Sequence, residues 1–274
     1  MKKLQKNKIA ILSTVINFEL YEKSLRTHPK GIDRYVIDGR QGMHGIHSIT
    51  YMFSKLKKMN YDWIIMADED VFFINPEGVF NLIKKMDVED ISVAGLRDGG
   101  ELNHRLYNPF VMNTFFLILN IKKIRPLWNK SEMLKTKLDN SLFDGSTLER
   151  LNYDYDVNSW YEPYYCFFYW LAKKDLKFLY LSNLNPINDN DSISNLVYDD
   201  EGNDLLVHTW YARAYKKNKE QTDRINDIVK TATFYNENDT FTVWFKKSFK
   251  YDKMLKKIIR RIIGKMKAIT KSNS

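Results

Sequence analysis

Trp63-Ile64-Ile65-Met66-Ala67-Asp68-Glu69-Asp70 is a short apolar run that stops on three consecutive carboxylates. It follows the turn-forming residues Asn60-Tyr61-Asp62 and is continuously apolar over 63–67, as expected of a strand buried on both faces. The acids then stand at the carboxyl end of that strand, where open α/β sheets place their ligands. In extended chain, alternation sends Asp68 and Asp70 one way and Glu69 the other. Two like-facing carboxylates repel each other unless a cation sits between or near them. The tripeptide therefore reads as a divalent-metal site or as a solvated acidic turn, and Glu69 is the acid expected to matter least to a metal.

Working outward, strands and helices alternate. Residues 8–16 and 33–38 read as strands, the second stopped by Gly39. Residues 18–26 read as a short helix, and 45–59 as a longer one with Ile46, Ile49, Phe53 and Leu56 on one face. After the central strand come a helix over 77–86, introduced by Asn75-Pro76, a strand over 92–96, and the β-forming run Asn113-Thr114-Phe115-Phe116-Leu117-Ile118-Leu119-Asn120. Residues 163–173 read as helix, 176–181 and 205–209 as strands, and the turn-rich 182–192 as a surface loop. This alternation predicts an α/β fold with a mostly parallel central sheet flanked by helices. No repeat or linker divides the body, so residues 1–250 are expected to form one domain, with halves of about 1–120 and 121–250, followed by a tail over 251–274.

The net charge of +9 points toward nucleic acid only until it is located. Residues 1–8 carry four lysines, and 251–274 carry eight Lys or Arg against the single acid Asp252, which leaves the body at −2. A slightly acidic body offers no groove for a phosphate backbone, so no nucleic-acid partner is expected. The lone Cys166 forms no internal disulfide and suits a buried place in a reducing compartment. No apolar stretch approaches the roughly 20 residues that span a bilayer. The basic start and the apolar 9–16 imitate a signal peptide, yet Ser13 and Thr14 interrupt the run, and a first buried strand is the better reading.

An apolar strand ending in D-x-D, continued by V-F-F-I-N-P-E over 71–77 and matched far downstream by V-H-T-W-Y-A-R over 207–213, resembles the GT-A class of nucleotide-sugar-dependent glycosyltransferases. The resemblance covers roughly residues 8–215 and has the look of a bacterial surface-polysaccharide enzyme. It implies a single GT-A, Rossmann-like domain holding Mn²⁺ or Mg²⁺, with Asp70 and His208 as direct ligands. Asp68 would reach the donor's ribose or sugar, or touch the metal through water. Read from the residues alone, His208 is equally a core histidine. Ser13, Thr14, Asp38 and Gly39 end the first two strands at the ligand-facing edge and are candidate donor contacts, although Asp38-Gly39 is also an ordinary turn pair. Gly42-Met43-His44-Gly45 introduces a helix whose N-terminus would suit a diphosphate. Arg213 would offset diphosphate charge or serve as a surface cation.

An inverting transferase needs a base for the acceptor hydroxyl. Glu162, just before Pro163, is the first candidate and Asp156 the second. Pro163 favours a helix start, which would make Glu162 an N-cap with a carboxyl held low by the helix dipole. Tyr164 and Trp210 are candidate sugar-stacking residues, and Asp98, in the glycine-rich Arg97-Asp98-Gly99-Gly100, a candidate acceptor contact. Beyond Tyr251, Met254, Leu255, Ile258, Ile259, Ile262, Ile263 and Met266 form one helical face among lysines and arginines. Such a basic amphipathic helix suits an anionic membrane surface or a partner. Together these features predict a transferase peripheral on the inner face of the cell membrane, moving a sugar from a nucleotide donor to a glycan or lipid-linked glycan. The other readings are a nucleotidyltransferase acting on a sugar phosphate and a non-catalytic sugar-nucleotide-binding protein. The first of these lacks its usual glycine- and basic-rich phosphate loop in residues 9–20.

Overall fold

The computed structural model describes residues 4–235, 240–255 and 258. Strand β1 (Ile9–Val15) leads into helix α1 (Phe18–Leu25), whose cap is Asn17, its side chain accepting from the Leu20 N–H. Strand β2 (Asp33–Asp38) and helix α2 (Ile46–Leu56) follow, then β3 (Trp63–Ala67) and a three-residue β4 (Val71–Phe73). Asn75 caps α3 (Pro76–Val88), with Pro76 at its first turn where a missing N–H costs nothing. The chain continues through β5 (Ile91–Arg97), β6 (Met112–Asn120), α4 (Ile121–Leu127), α5 (Lys130–Lys135), α6 (Tyr165–Ala172), β7 (Lys177–Tyr180), β8 (Asn183–Leu184), β9 (Asn195–Tyr198), β10 (Asp204–His208), α7 (Lys219–Thr231) and β11 (Thr242–Trp244).

Seven strands form the main sheet in the order β11-β2-β1-β3-β6-β5-β7. Among the described strands of this sheet, β6 alone runs antiparallel to its neighbours, β3 and β5, and the sheet's other pairings are parallel. The expected α/β architecture with a mostly parallel, helix-flanked sheet is therefore what the chain adopts. Alternation along each strand feeds two cores. Ala10, Leu12, Ile64, Met66, Leu117 and Leu119 face α2, α5 and α6, whereas Ile9, Ile11, Trp63, Ile65, Phe116 and Ile118 face α3 and a second sheet. All eight residues of α6 are buried, as a helix apolar on every side requires.

The second sheet, β4-β10-β9-β8, is small and antiparallel, yet it positions the site. Its β4–β10 ladder pairs Val71 with His208, so a residue from the far end of the chain lands beside the acidic turn after β3. The loop expected over 182–192 contains β8 and the bridge between Asn188 and Asp191. The helix expected from Pro163 begins two residues later, at Tyr165. Residues 249–255 are helical, and the apolar Ile259, Ile262, Ile263 and Met266 of the expected amphipathic tail lie outside the described residues. Among the described residues no helix is long and apolar enough to cross a membrane.

Candidate active site

A cleft of about 620 Å³ opens at the carboxyl ends of β1 and β3. It is lined by Thr14, Asp68, Glu69, Asp70, Glu162, Tyr164, His208, Trp210 and Arg213, all but Glu69 singled out above as site residues, and that volume suits a small-molecule ligand. Because β6 is antiparallel, its first residues reach the same edge, and Asn113, Thr114 and Phe115 line the cleft too. The Asp68 N–H donates to the Phe115 carbonyl at 2.8 Å, extending the β3–β6 ladder to the acids.

The acidic turn differs from the extended geometry expected for it. The chain reverses at Glu69-Asp70, with the Val71 N–H 3.3 Å from the Asp68 carbonyl. Asp68 and Asp70 still share the cleft, but by a tight turn rather than strand alternation. Glu69 has other work: its carboxylate accepts from the Ile16 N–H at 3.0 Å and the Asn17 N–H at 3.1 Å, clamping the β1–α1 junction. Burial pushes Asp68 well above the usual carboxylate range, and the charges of Asp70 and Glu69 push it further against the opposing Arg213. Burial and Asp70 likewise raise Glu69 to about 7, against its two backbone donors.

His208 Nε2 lies 3.2 Å from Asp70 Oδ1, with both side chains nearly inaccessible. The ring stacks on Phe115, centroids 4.1 Å apart and planes 11° off parallel, and Trp210 packs 4.3 Å away. Two ligands of one ion at about 2.1 Å stand about 3 Å apart at neighbouring positions, so this spacing suits shared coordination. Carboxylate oxygen and imidazole nitrogen are donors that Mn²⁺ accepts together, and Mg²⁺ with more reluctance. Two features limit the fit. No group of three or more His, Cys, Asp or Glu is arranged to hold a metal among the described residues, and buried His208 Nδ1 lacks the hydrogen bond that usually orients a metal-bound ring. The residues fit as the protein's half of a coordination shell, with stacking on Phe115 fixing the imidazole.

A second charged cluster forms the adjoining wall. Asp98, fully buried, receives Arg105 Nη2 at 2.9 Å, Asn113 Nδ2 at 2.6 Å and the Tyr165 hydroxyl, with Arg105 Nε 2.8 Å away. It does not line the cleft and so holds Arg105 and Tyr165 in place rather than offering itself to an acceptor. Arg105 lines the cleft, and its Nη2 stands 3.7 Å from Glu162 Oε1. Burial raises the Glu162 carboxyl above its ordinary range; Arg105 opposes this and Asp98 adds to it. The low value expected of an N-cap does not arise, because Glu162 precedes the helix by a turn and only its carbonyl accepts from Tyr165 N–H, at 3.1 Å.

Other expected contacts fall elsewhere. Asp156 is exposed, its carboxylate accepting from the Asn158 N–H, and it does not line the cleft. Ser13 is buried beneath the sheet edge. Asp38 is held low by the hydrogen-bonded Arg40, Nη2 to Oδ2 2.6 Å, against its own burial. Gly39 is required by packing, since a Cβ there would lie 2.9 Å from Ile16 Cγ1. Neither Asp38 nor Gly39 lines the cleft. His44, Gly45 and Ser48 do, placing the N-terminal turn of α2 at its wall. Trp210 and Tyr211, both cleft residues, occupy left-handed backbone at φ 59° and 56°, a strain of about 1–3 kcal/mol each that functional loops often carry. Arg105, Asn113, Phe115 and Tyr211 were not among the candidates read from the sequence. An unpaired carboxylate at the end of β5 was the one available signal that a cation must lie near.

No protein-family model matches the sequence, and no curated protein matches it significantly. Among solved structures, the chain is similar to glycosyltransferases. One is the mannosyltransferase PcManGT of Pyrobaculum calidifontis, in complex with GDP-Man and Mn²⁺, at 9% identity and TM-score 0.32, covering 45% of this chain and 47% of that one. The glycosyltransferase GlyE of Streptococcus pneumoniae TIGR4 aligns at 11% identity and TM-score 0.34, over 86% of this chain and 66% of its own. A glycosyltransferase involved in glycosylation of the major capsid of PBCV-1 gives 15% identity and TM-score 0.27, over 54% and 79%. The matched part thus spans about half of the mannosyltransferase.

Proposed function

We propose that the protein is a metal-dependent GT-A glycosyltransferase that moves a sugar from a nucleoside diphosphate sugar to a glycan acceptor, lipid-linked, in bacterial surface-polysaccharide synthesis. The observation that carries this reading is the convergence, in one cleft, of the Asp68/Asp70 turn, His208 and Glu162 from three separate parts of the chain. Asp70 and His208 would hold Mn²⁺ or Mg²⁺, with donor phosphate and water as further ligands. When bound, the ion would stabilise negative charge on the departing diphosphate as a Lewis acid.

The remaining work belongs to the chain. Asp68, disfavoured as an anion by its surroundings, is suited to hydrogen-bond the donor's ribose or sugar. The N-terminal turn of α2 and the exposed Arg213 favour phosphate charge at the same wall. Glu162 takes the proton from the acceptor hydroxyl as it attacks, which commits the enzyme to inversion. Its raised carboxyl brings it nearer the operating pH, where a general base works best. Trp210 and Tyr164 offer ring faces to sugar C–H groups. The exposed apolar residues Tyr251, Met254, Leu255 and Ile258 would lay the basic C-terminal helix on an anionic membrane at the cytoplasmic face.

Thermal stability measured across a panel of nucleotide sugars, with and without Mn²⁺, tests the proposal. A cognate donor should raise the melting temperature only with metal, and slow release of nucleoside diphosphate should accompany it. Stabilisation by nucleoside triphosphates with pyrophosphate release would instead indicate a nucleotidyltransferase.

A further inference from the structure

The same helix that walls the active cleft also walls a second groove. His44, Gly45 and Ser48 face the cleft, whereas Met43, His47, Thr50, Tyr51 and Ser54 line a separate space of about 520 Å³. Its other side is the C-terminal segment, through Lys246, Phe249, Asp252 and Lys253, with Lys130 completing the rim. The floor is apolar: Phe249 and Met43 are nearly buried, and the His47 ring meets Phe249 edge-on at 5.3 Å. The rim is cationic, with three lysines against one carboxylate. Lys246 is paired with Asp252 at 2.6 Å, but neither Lys130 nor Lys253 has a carboxylate partner among the described residues. Lys253 also lies close to the loop before α2: a Cβ on Gly42 would lie 3.3 Å from its Nζ, and its charge acts on His44 of the active cleft.

An aromatic floor beneath two ammonium groups that have no carboxylate partner among the described residues suits an anion that carries an apolar chain. The tail of this chain is a poor occupant by charge: residues 256–274 contain seven Lys or Arg and no acid. The helix that forms one wall also exposes Tyr251, Met254, Leu255 and Ile258, at the i, i+3, i+4, i+7 spacing of a single face. That face lies on the side of the helix opposite Phe249 and Lys253, so it would rest the helix on an apolar phase with the groove behind it.

We propose that this groove is a subsite for the phosphate and first apolar units of a membrane lipid phosphate, the lipid end of the acceptor. Resting on the transferase reading above, it places lipid and sugar on opposite sides of the first turns of α2, so that one acceptor molecule engages both spaces.

Calorimetric titration of the full chain with dodecyl phosphate, below its micelle concentration, tests the inference beside inorganic phosphate. Dodecyl phosphate should bind and inorganic phosphate should bind far more weakly. The double variant Lys130→Glu/Lys253→Glu should weaken dodecyl phosphate by about tenfold or more, as loss of charge-assisted contacts predicts. Ser54→Trp, which fills the groove without changing charge, should do the same. Both variants should keep the wild-type melting temperature and its metal-dependent rise with nucleotide sugar. Absent binding, equal binding of both phosphates, or dodecyl phosphate binding indifferent to both variants would each overturn the subsite. If wild type shows no nucleotide-sugar response yet dodecyl phosphate binding is lost in both variants, the groove stands and the transferase reading fails.

Discussion

Behind the cleft wall, Asp98 is surrounded by donors from Arg105, Asn113 and Tyr165, whereas in the cleft itself Asp68 and Asp70 meet each other, Glu69 and an imidazole. The first arrangement is supplied within the folded chain: both oxygens of a buried anion accept from donors that the protein itself provides. The second is under electrostatic tension, seen in how far burial and its neighbours raise Asp68. Carboxylates that satisfy themselves hold structure; carboxylates left short of positive charge are available to a ligand that brings it. The contrast separates the positioning half of the site from the binding half.

Four substitutions would break or sharpen that contrast. Asp70→Ala should abolish the metal-dependent thermal shift and cut turnover roughly a thousandfold, since Lewis-acid stabilisation is worth several kcal/mol; a full shift in this variant would remove Asp70 from the metal. Asp98→Ala leaves Arg105 buried without its partner and should cost about 3–5 kcal/mol by urea denaturation. A neutral outcome would mean that Asp98 does not anchor the wall. Glu162→Gln should lower kcat about a hundredfold while leaving donor binding unchanged. The base works only when ionised, so wild-type activity should rise with pH through a pKa above the ordinary glutamate range, and the variant should lose that limb. Glu69→Gln should do least, weakening its hold on the Ile16 and Asn17 N–H groups by about 1 kcal/mol. Loss of the metal response in Glu69→Gln comparable to that in Asp70→Ala would erase the distinction between the two acids.

Strands β2 and β3 lie where the residues place them, because contiguous apolar runs bounded by turn formers leave little freedom. The direction of β6 was hidden, since an apolar run reads the same in either orientation. Strand β4 has three residues and exists only through pairing with β10, so no local pattern could announce it. The same non-local pairing is why resemblance, and not spacing, points to His208. Asp38 looked free at a strand end, but Arg40 two residues on folds back upon it. Arg105 sits in a loop with no periodicity, and only the three-dimensional need of Asp98 for a cation singles it out. The helix α7 is polar except for a sparse stripe that buries Ile225, too few apolar positions for the sequence to announce it.

The short ladder that sets His208 beside Asp70 has a consequence for the protein's own birth. A ribosome adding about 5–20 residues per second would expose the Asp68–Asp70 turn many seconds before β10 leaves the exit tunnel. Throughout that interval the acids have no imidazole beside them. The corner where His208 meets Asp70 therefore matures late, and a truncated chain lacking β10 would carry the acidic motif without its imidazole.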